Sequence, residues 1–319
     1  MTTRRLGPWQ VYPIGLGCMN VSWPRGAALE RDTREGSAIP ALHAGLDHGV
    51  TLLDTADIYA PSWDTLGHNE EFVAEARDTW GADQGRKDGV LVATKGGITR
   101  SEGEKWGRNG SLEYLVGAAE RSRERLGVDV IDLWQHHRLD PSLPFETQFE
   151  NVLELKSRGI VVEIGVSNYN AAQVKKALDI GGTPDQGGLI SVQNEFSPMY
   201  RHDLDVLALC ESAGVAFLPW SPLGGSKKVN LITSGAAGEF VEMARQKDVT
   251  PEALVLAWLL AYSPVIIPIP GATRPESVRD SVSAVSIPLT DDERDALSAS
   301  LPESLPRSEE LEPTAPFAT

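Results

Sequence analysis

Eight short apolar runs recur along the chain, each followed by an amphipathic stretch, and this alternation constrains the fold more than any other feature. The runs are Ile14–Cys18, Thr51–Leu53, Val90–Thr94, Val130–Gln135, Val161–Val166, Leu189–Gln193, Val215–Trp220 and Val265–Pro268. They are mostly apolar rather than alternating, as parallel strands covered on both faces are. Between two of them, Leu112, Leu115, Val116, Ala119 and Leu126 follow one helical face behind an N-cap at Ser111. Pro144–Arg158 reads as a helix stopped by Gly159, and Thr250-Pro251 places a cap and an N1 proline before Glu252–Leu260. Strand then helix, eight times, predicts an α/β fold closed as a (β/α)8 TIM barrel; a doubly wound open sheet is the alternative. Leu6–Pro13 is expected to form a small hairpin closing the barrel bottom, with Gly7-Pro8 at its turn. Thr290-Asp-Asp-Glu293 has the form of a capping box and predicts an extra C-terminal helix outside the repeat.

A chain of 319 residues is long enough for two domains, but no long Pro/Gly/Ser linker interrupts it, and one barrel accommodates the length. A single domain over residues 1–319 is therefore expected, with its core at 10–290 and a loosely ordered Pro-, Ser- and Glu-rich tail at 302–319. The formal net charge of −16 argues against a nucleic-acid partner, because a phosphate backbone needs Lys and Arg to displace its counterions. Cys18 and Cys210 are far apart and form no CxxC, so a reduced, cytoplasmic protein without a metal site is expected. No apolar run is long enough to span a membrane, and the opening Met-Thr-Thr-Arg-Arg-Leu-Gly-Pro lacks the apolar region of a signal peptide. No heptads or exposed apolar stripe specify an oligomer.

The strand ends carry the chemistry. The second run ends in Asp54 and delivers Tyr59 five residues on, and the third ends in Lys95, which is expensive at the end of an apolar strand unless paired. Asp54 is the natural partner. The fourth ends in Gln135-His136-His137-Arg138, where alternation turns one imidazole into the barrel mouth and the other away. A tyrosine has an ordinary pKa near 10, and an ammonium within about 4–6 Å favours its phenolate. A carboxylate keeps that ammonium charged, and a histidine orients a carbonyl by hydrogen bonding. Each residue alone has a commonplace structural reading as a cap, a snorkelling surface lysine or a packed aromatic; the case lies in their types after three consecutive strands. Long loops expected at Ala60–His68 and Ile98–Asn109 rise over the same face, and Trp23, Trp63 and Trp106 fall in such loops as candidate substrate-pocket walls.

The pattern Asp-Thr-Ala-Asp-x-Tyr with Asn69-Glu70 downstream, then Thr-Lys-Gly, then Leu-Gly-Val-Asp-x-Ile-Asp-Leu-x-x-x-His-Arg, resembles the aldo-keto reductase superfamily, in particular its bacterial members. The resemblance runs from Gly15-Leu-Gly-Cys-Met to about Ala284, through Ile164-Gly-Val-Ser-Asn168, Val192-Gln-Asn-Glu195, Pro219-Trp-Ser-Pro-Leu223 and Ile267-Pro-Ile-Pro-Gly271. It implies a catalytic tetrad of Asp54, Tyr59, Lys95 and His137, the family's spacing selecting His137 over His136. It implies nicotinamide contacts at Ser167, Asn168 and Gln193, with Trp220 stacked on the ring, and further cofactor contacts at Gly17, Cys18 and Met19. Phosphate contacts are implied at Ser221, Pro222, Leu223, Gly225 and Ser226, and at Gly271, Thr273, Arg274, Ser277 and Ser281. Thr273 is expected to cap the helix starting near Pro275, and Arg274, Lys227 and Lys228 are candidates for the adenosine phosphate of NADPH. Asp280-Ser281 stands where many relatives have Glu-Asn, so NADH remains an alternative cofactor. The implied activity is NAD(P)H-dependent reduction of an aldehyde or ketone to an alcohol. Alternatives are a sugar or pyridoxine-type alcohol dehydrogenase, a cofactor-binding regulatory protein resembling potassium-channel β subunits, and a Schiff-base lyase using Lys95.

Overall fold

Seven of the eight apolar runs meet in one parallel sheet, and the eighth closes it into a ring. The chain is described from a computed structural model, over residues 3–22, 38–81, 89–225, 238–271 and 273–304. Trp23, Ser226, Lys227, Lys228, Ala272 and the tail from residue 305 lie outside the described residues. A hairpin, β1 (Arg4–Leu6) and β2 (Trp9–Val11), precedes the sheet strands β3 (Leu16–Gly17), β4 (Leu52–Asp54) and β5 (Leu91–Gly96). An antiparallel hairpin, β6 (Ile98–Ser101) and β7 (Lys105–Arg108), follows. The sheet resumes with β8 (Ile131–His136), β9 (Val161–Ser167), β10 (Leu189–Gln193) and β11 (Ala216–Phe217), in the order β11-β10-β9-β8-β5-β4-β3.

The expected eighth strand is a bridged segment rather than a continuous strand. On one edge Ile267 and Ile269 donate to Phe217 and Pro219 at 2.8 and 3.2 Å; on the other, Gly15 and Gly17 donate to Pro268 and Pro270 at 3.0 and 3.1 Å. In a parallel ladder a residue's N–H and C=O point to the same side. Pro268 and Pro270 therefore lack the donors that would have faced β3, and only half of that ladder forms. The expected first and seventh strands are also shorter than their apolar runs, although Trp220 still bridges to Glu195 beyond β11.

The helices start where the sequence supplies caps. Ser111 Oγ accepts from Tyr114 at the head of Leu112–Leu126, and Gly127 ends that helix with φ 63°. Thr250 caps Pro251–Tyr262, and Thr290 with Glu293 forms a capping box on Asp291–Ser300. Phe145–Ser157 begins after Pro144, one residue later than its sequence suggests. Among the described residues no helix is long and apolar enough to cross a membrane, and no cluster of His, Cys, Asp and Glu could hold a metal.

Two layers fill the ring. The lower is apolar: Leu52, Ala93, Leu133, Ile190, Ala216 and Ile267 meet Leu6 and Val11 of the hairpin, which plugs the bottom. A Cβ on Gly7 would lie 2.8 Å from Ile190, so the hairpin turn is as close to the core as a glycine permits. The upper layer is polar, because side chains two residues further along each strand point the same way.

Candidate active site

Two residues beyond Leu52, Ala93 and Leu133 stand Asp54, Lys95 and Gln135, and two beyond Gln135 stands His137. Lys95 has no solvent exposure; its Nζ donates to Asp54 Oδ2 at 2.7 Å and to the Thr55 carbonyl at 2.7 Å. Removing two charges from water costs several kcal/mol per ion unless their remaining hydrogen-bonding capacity is met. Here it is met: Asp54 Oδ1 accepts from Gln193 Nε2 at 2.7 Å and Gln135 Nε2 at 3.3 Å. Ser191 Oγ in turn donates to Gln135 Oε1 at 3.4 Å. A register shift between Leu189 and Ser191 lets Ile190 join the lower layer while Ser191 and Gln193 serve the upper one.

The arm after β4 brings Tyr59 back over this pair. Asp57 N–H donates to the Lys95 carbonyl at 3.1 Å, and Lys95 Nζ lies 5.1 Å from the Tyr59 ring centroid. His137 meets the same ring edge-on at 5.9 Å. Burial pushes the Tyr59 phenol above its ordinary range, and this outweighs the downward pull of Lys95. The ammonium does pull the phenol downward, as the sequence predicts, but desolvation outweighs it and the net shift is upward. Burial also opposes the Lys95 ammonium, but Asp54 and Tyr59 overcome it and hold Lys95 above its ordinary value. His137 is driven well below its ordinary value by burial, then by Lys95, Arg138 and His136. The site at neutral pH therefore holds a charged lysine, a neutral phenol and a neutral imidazole. His136 faces outward, stacked on Trp134 at 6.5 Å and bonded through Nδ1 to Tyr169 Oη at 2.8 Å.

The β6–β7 hairpin stands beside the arm where the sequence reading expected a loop. Gly103 and Glu104, at φ 74° and 59°, make its turn. Arg100 donates to the Ala60 carbonyl at 2.8 Å, pairs with Glu104 and lies 4.8 Å from the Trp106 ring. Glu104 also accepts from Trp63 N–H at 3.0 Å, so one carboxylate joins the segments of both tryptophans. Trp106 is half-buried and Trp63 is 37 % exposed.

On the other half of the mouth, Ser167 Oγ donates to the Gln193 carbonyl at 2.8 Å. Asn168, at φ 61°, donates to Ser167 Oγ at 2.8 Å and to the His137 carbonyl at 3.3 Å. Trp220 is half-buried at the end of the neighbouring segment, followed by Ser221 and buried Pro222, then Leu223, Gly224 and Gly225. Ser221, Gly224 and Gly225 all have positive φ, at 48°, 85° and 71°. Gly17 and Gly271 bridge across the seam, where a Cβ on Gly17 would lie 2.8 Å from the Ile269 carbonyl. Cys18 is buried, its N–H on the Asp54 carbonyl at 2.8 Å, and Met19 is half-buried beside it.

Contrary to the sequence-based expectation, Thr273 does not cap the following helix. Arg274 occupies the N-cap of Pro275–Ser283, and its side chain makes no capping hydrogen bond. Arg274 reaches Ser277 Oγ at 3.5 Å; Ser281 is buried and donates to the Ser277 carbonyl at 3.0 Å. Both Asp280 oxygens accept from Thr250 Oγ1, at 2.9 and 2.8 Å. Sequence reasoning did not single out Gln135; its signal was its position two residues before His137, on the same face of the strand.

The Aldo/keto reductase family model matches residues 13–301. An uncharacterized oxidoreductase of Schizosaccharomyces pombe is 30% identical over 289 residues, 90% of this chain and 86% of the relative. An aldo/keto reductase from Klebsiella pneumoniae, solved with NADP and acetate, superposes with a TM-score of 0.74 at 24% identity, over 96% of this chain and 98% of that one. The holo form of an aldo-keto reductase from Bacillus halodurans gives 0.71 at 24% identity, over 96% and 98%. The closed ring and the match over nearly the whole chain together establish that this protein belongs to the aldo/keto reductase family.

Proposed function

We propose that the protein is an NADPH-dependent carbonyl reductase in which Tyr59 is the general acid. The observation that carries this reading is the fully buried Lys95, paired with Asp54 and set against the Tyr59 ring. The chain fits a bound nicotinamide dinucleotide. The polar groups of Ser167, Asn168 and Gln193 gather beside the tetrad, the positive-φ turn at Ser221–Gly225 suits close backbone approach, and the uncapped helix start behind Arg274 suits a phosphate. That NADP and NADPH occupy the Klebsiella pneumoniae structures supports the same choice of cofactor. When bound, a reduced nicotinamide supplies hydride to a carbonyl carbon.

The residues of the chain do the rest. His137, neutral, donates a hydrogen bond that orients the substrate oxygen. Tyr59 releases its phenolic proton to that oxygen as negative charge develops there, and the Lys95 ammonium stabilises the phenolate left behind. Asp54, through Lys95, keeps that charge in place. Burial of Tyr59 and His137 excludes water from the transfer. Trp63 and Trp106 form the outer wall and favour an aromatic aldehyde or ketone.

The test is loss of NADPH absorbance with a nitrobenzaldehyde. Wild-type protein turns over, and Tyr59→Phe lowers kcat by about 10²–10⁴-fold while NADPH still quenches tryptophan fluorescence. NADPH binding without turnover on a broad carbonyl panel would instead favour a cofactor-binding regulatory role.

A further inference from the structure

Asn69 is fully buried in the first turn of His68–Gly81, outside the tetrad. Its backbone N–H donates to the Tyr59 carbonyl at 3.2 Å, and its side-chain carbonyl accepts from Thr55 Oγ1 at 2.6 Å. Its amide nitrogen donates to the Cys18 carbonyl at 2.8 Å and to Ser22 Oγ at 2.8 Å. The next residue, Glu70, accepts from Thr94 Oγ1 at 2.5 Å and from Arg125 at 3.2 Å. One dipeptide thus holds the residue after Asp54, the residue before Lys95, and the backbone of Tyr59.

The Thr55 contact has the most direct chemical consequence. An ammonium has three donors in fixed tetrahedral directions. Two of those on Lys95 go to Asp54 Oδ2 and the Thr55 carbonyl, and the third is left for Tyr59, whose ring centroid lies 5.1 Å from Nζ. Moving the Thr55 carbonyl rotates the ammonium and re-aims the third donor. We propose that Asn69 is a positioning residue for proton transfer, fixing through Thr55 the direction in which Lys95 addresses the Tyr59 oxygen. This rests on the reading of Tyr59 as general acid. A side chain that only satisfies a buried helix start would affect stability without touching the chemistry.

Two variants separate these roles. Thr55→Val keeps the shape and the carbonyl but removes the hydroxyl that reaches Asn69; Asn69→Leu removes every side-chain bond. With NADPH and a nitrobenzaldehyde, Asn69→Leu is expected to lower kcat by about 10–100-fold and Thr55→Val by a smaller factor. The double variant is no worse than Asn69→Leu alone. In Thr55→Val the NADPH Kd and carbonyl KM are unchanged, and the kcat–pH profile moves, because a mis-aimed ammonium stabilises the phenolate less. Should Asn69→Leu fail to fold, Thr55→Val decides alone. Wild-type turnover with Thr55→Val identical to it in kcat and pH profile overturns the proposal. A wild type without turnover, its 54–59 amides exchanging more slowly than those of Thr55→Val, overturns the general-acid reading instead and leaves Asn69 as a mechanical clamp.

Discussion

At the scale of single residues, the site is governed by what burial does to charge. Lys95 is tolerated with no exposure because Asp54, Thr55, Gln193 and Gln135 complete its surroundings. Asp54→Asn leaves an uncompensated buried ammonium, and urea denaturation is expected to report a loss of about 3–5 kcal/mol. His136 is held at about 4 by burial, with Asp140 opposing. A folded pKa below the unfolded value near 6.5 means that the unfolded chain takes up the proton first. The associated stability is complete above the unfolded value and is lost as pH falls from there toward about 4. His136→Asn, which keeps a hydrogen-bonding group near Tyr169, is expected to remove about 2 kcal/mol of the stability lost between about pH 7 and pH 5, measured by urea denaturation at each pH. That Asp54, Tyr59, Lys95 and His137 come together was legible because each sits at or just after an apolar run. The Gln135 contact with Asp54 was not, because an amide carries no charge to flag it and its support from Ser191 depends on the register shift in β10.

At the scale of elements, glycine decides what fits inside the ring. A Cβ on Gly165 of β9 would lie 2.2 Å from Ser191 Oγ and 3.0 Å from the Gln135 side chain. Gly165→Ala therefore pushes on the side chains that hold Asp54. It is expected to lower kcat by about tenfold while leaving NADPH affinity within a small factor, in steady-state assays. The strands β4, β5, β8, β9 and β10 were legible as mostly apolar runs. The β6–β7 hairpin was hidden because Arg100, Lys105 and Arg108 give it the composition of a loop, although its turn at Gly103 and Glu104 is what forces the chain back. The closing segment read as a strand because hydrophobicity sees Ile266, Ile267 and Ile269; it does not see that Pro268 and Pro270 remove donors from one side.

At the scale of the whole molecule, the N-terminal hairpin and the barrel share one apolar layer, so the hairpin is part of the fold rather than an appendage. Leu6→Ala is expected to cost about 2–5 kcal/mol of unfolding free energy, in a single cooperative urea transition. The ring is short of donors on both sides of its closing segment, once at Pro219 and twice on the β3 side. Where the closing segment meets β3, alternate donors are missing, so native-state amide exchange is expected to show strand separation beginning there. An opened barrel presents two raw edges, and a raw edge normally recruits strands from other molecules. The edge on the proline side offers carbonyls without a matching row of N–H groups, so it is a poor template for an incoming chain. An opening there thus leaves one of its two edges, that of the closing segment, poorly suited to seeding a fibre.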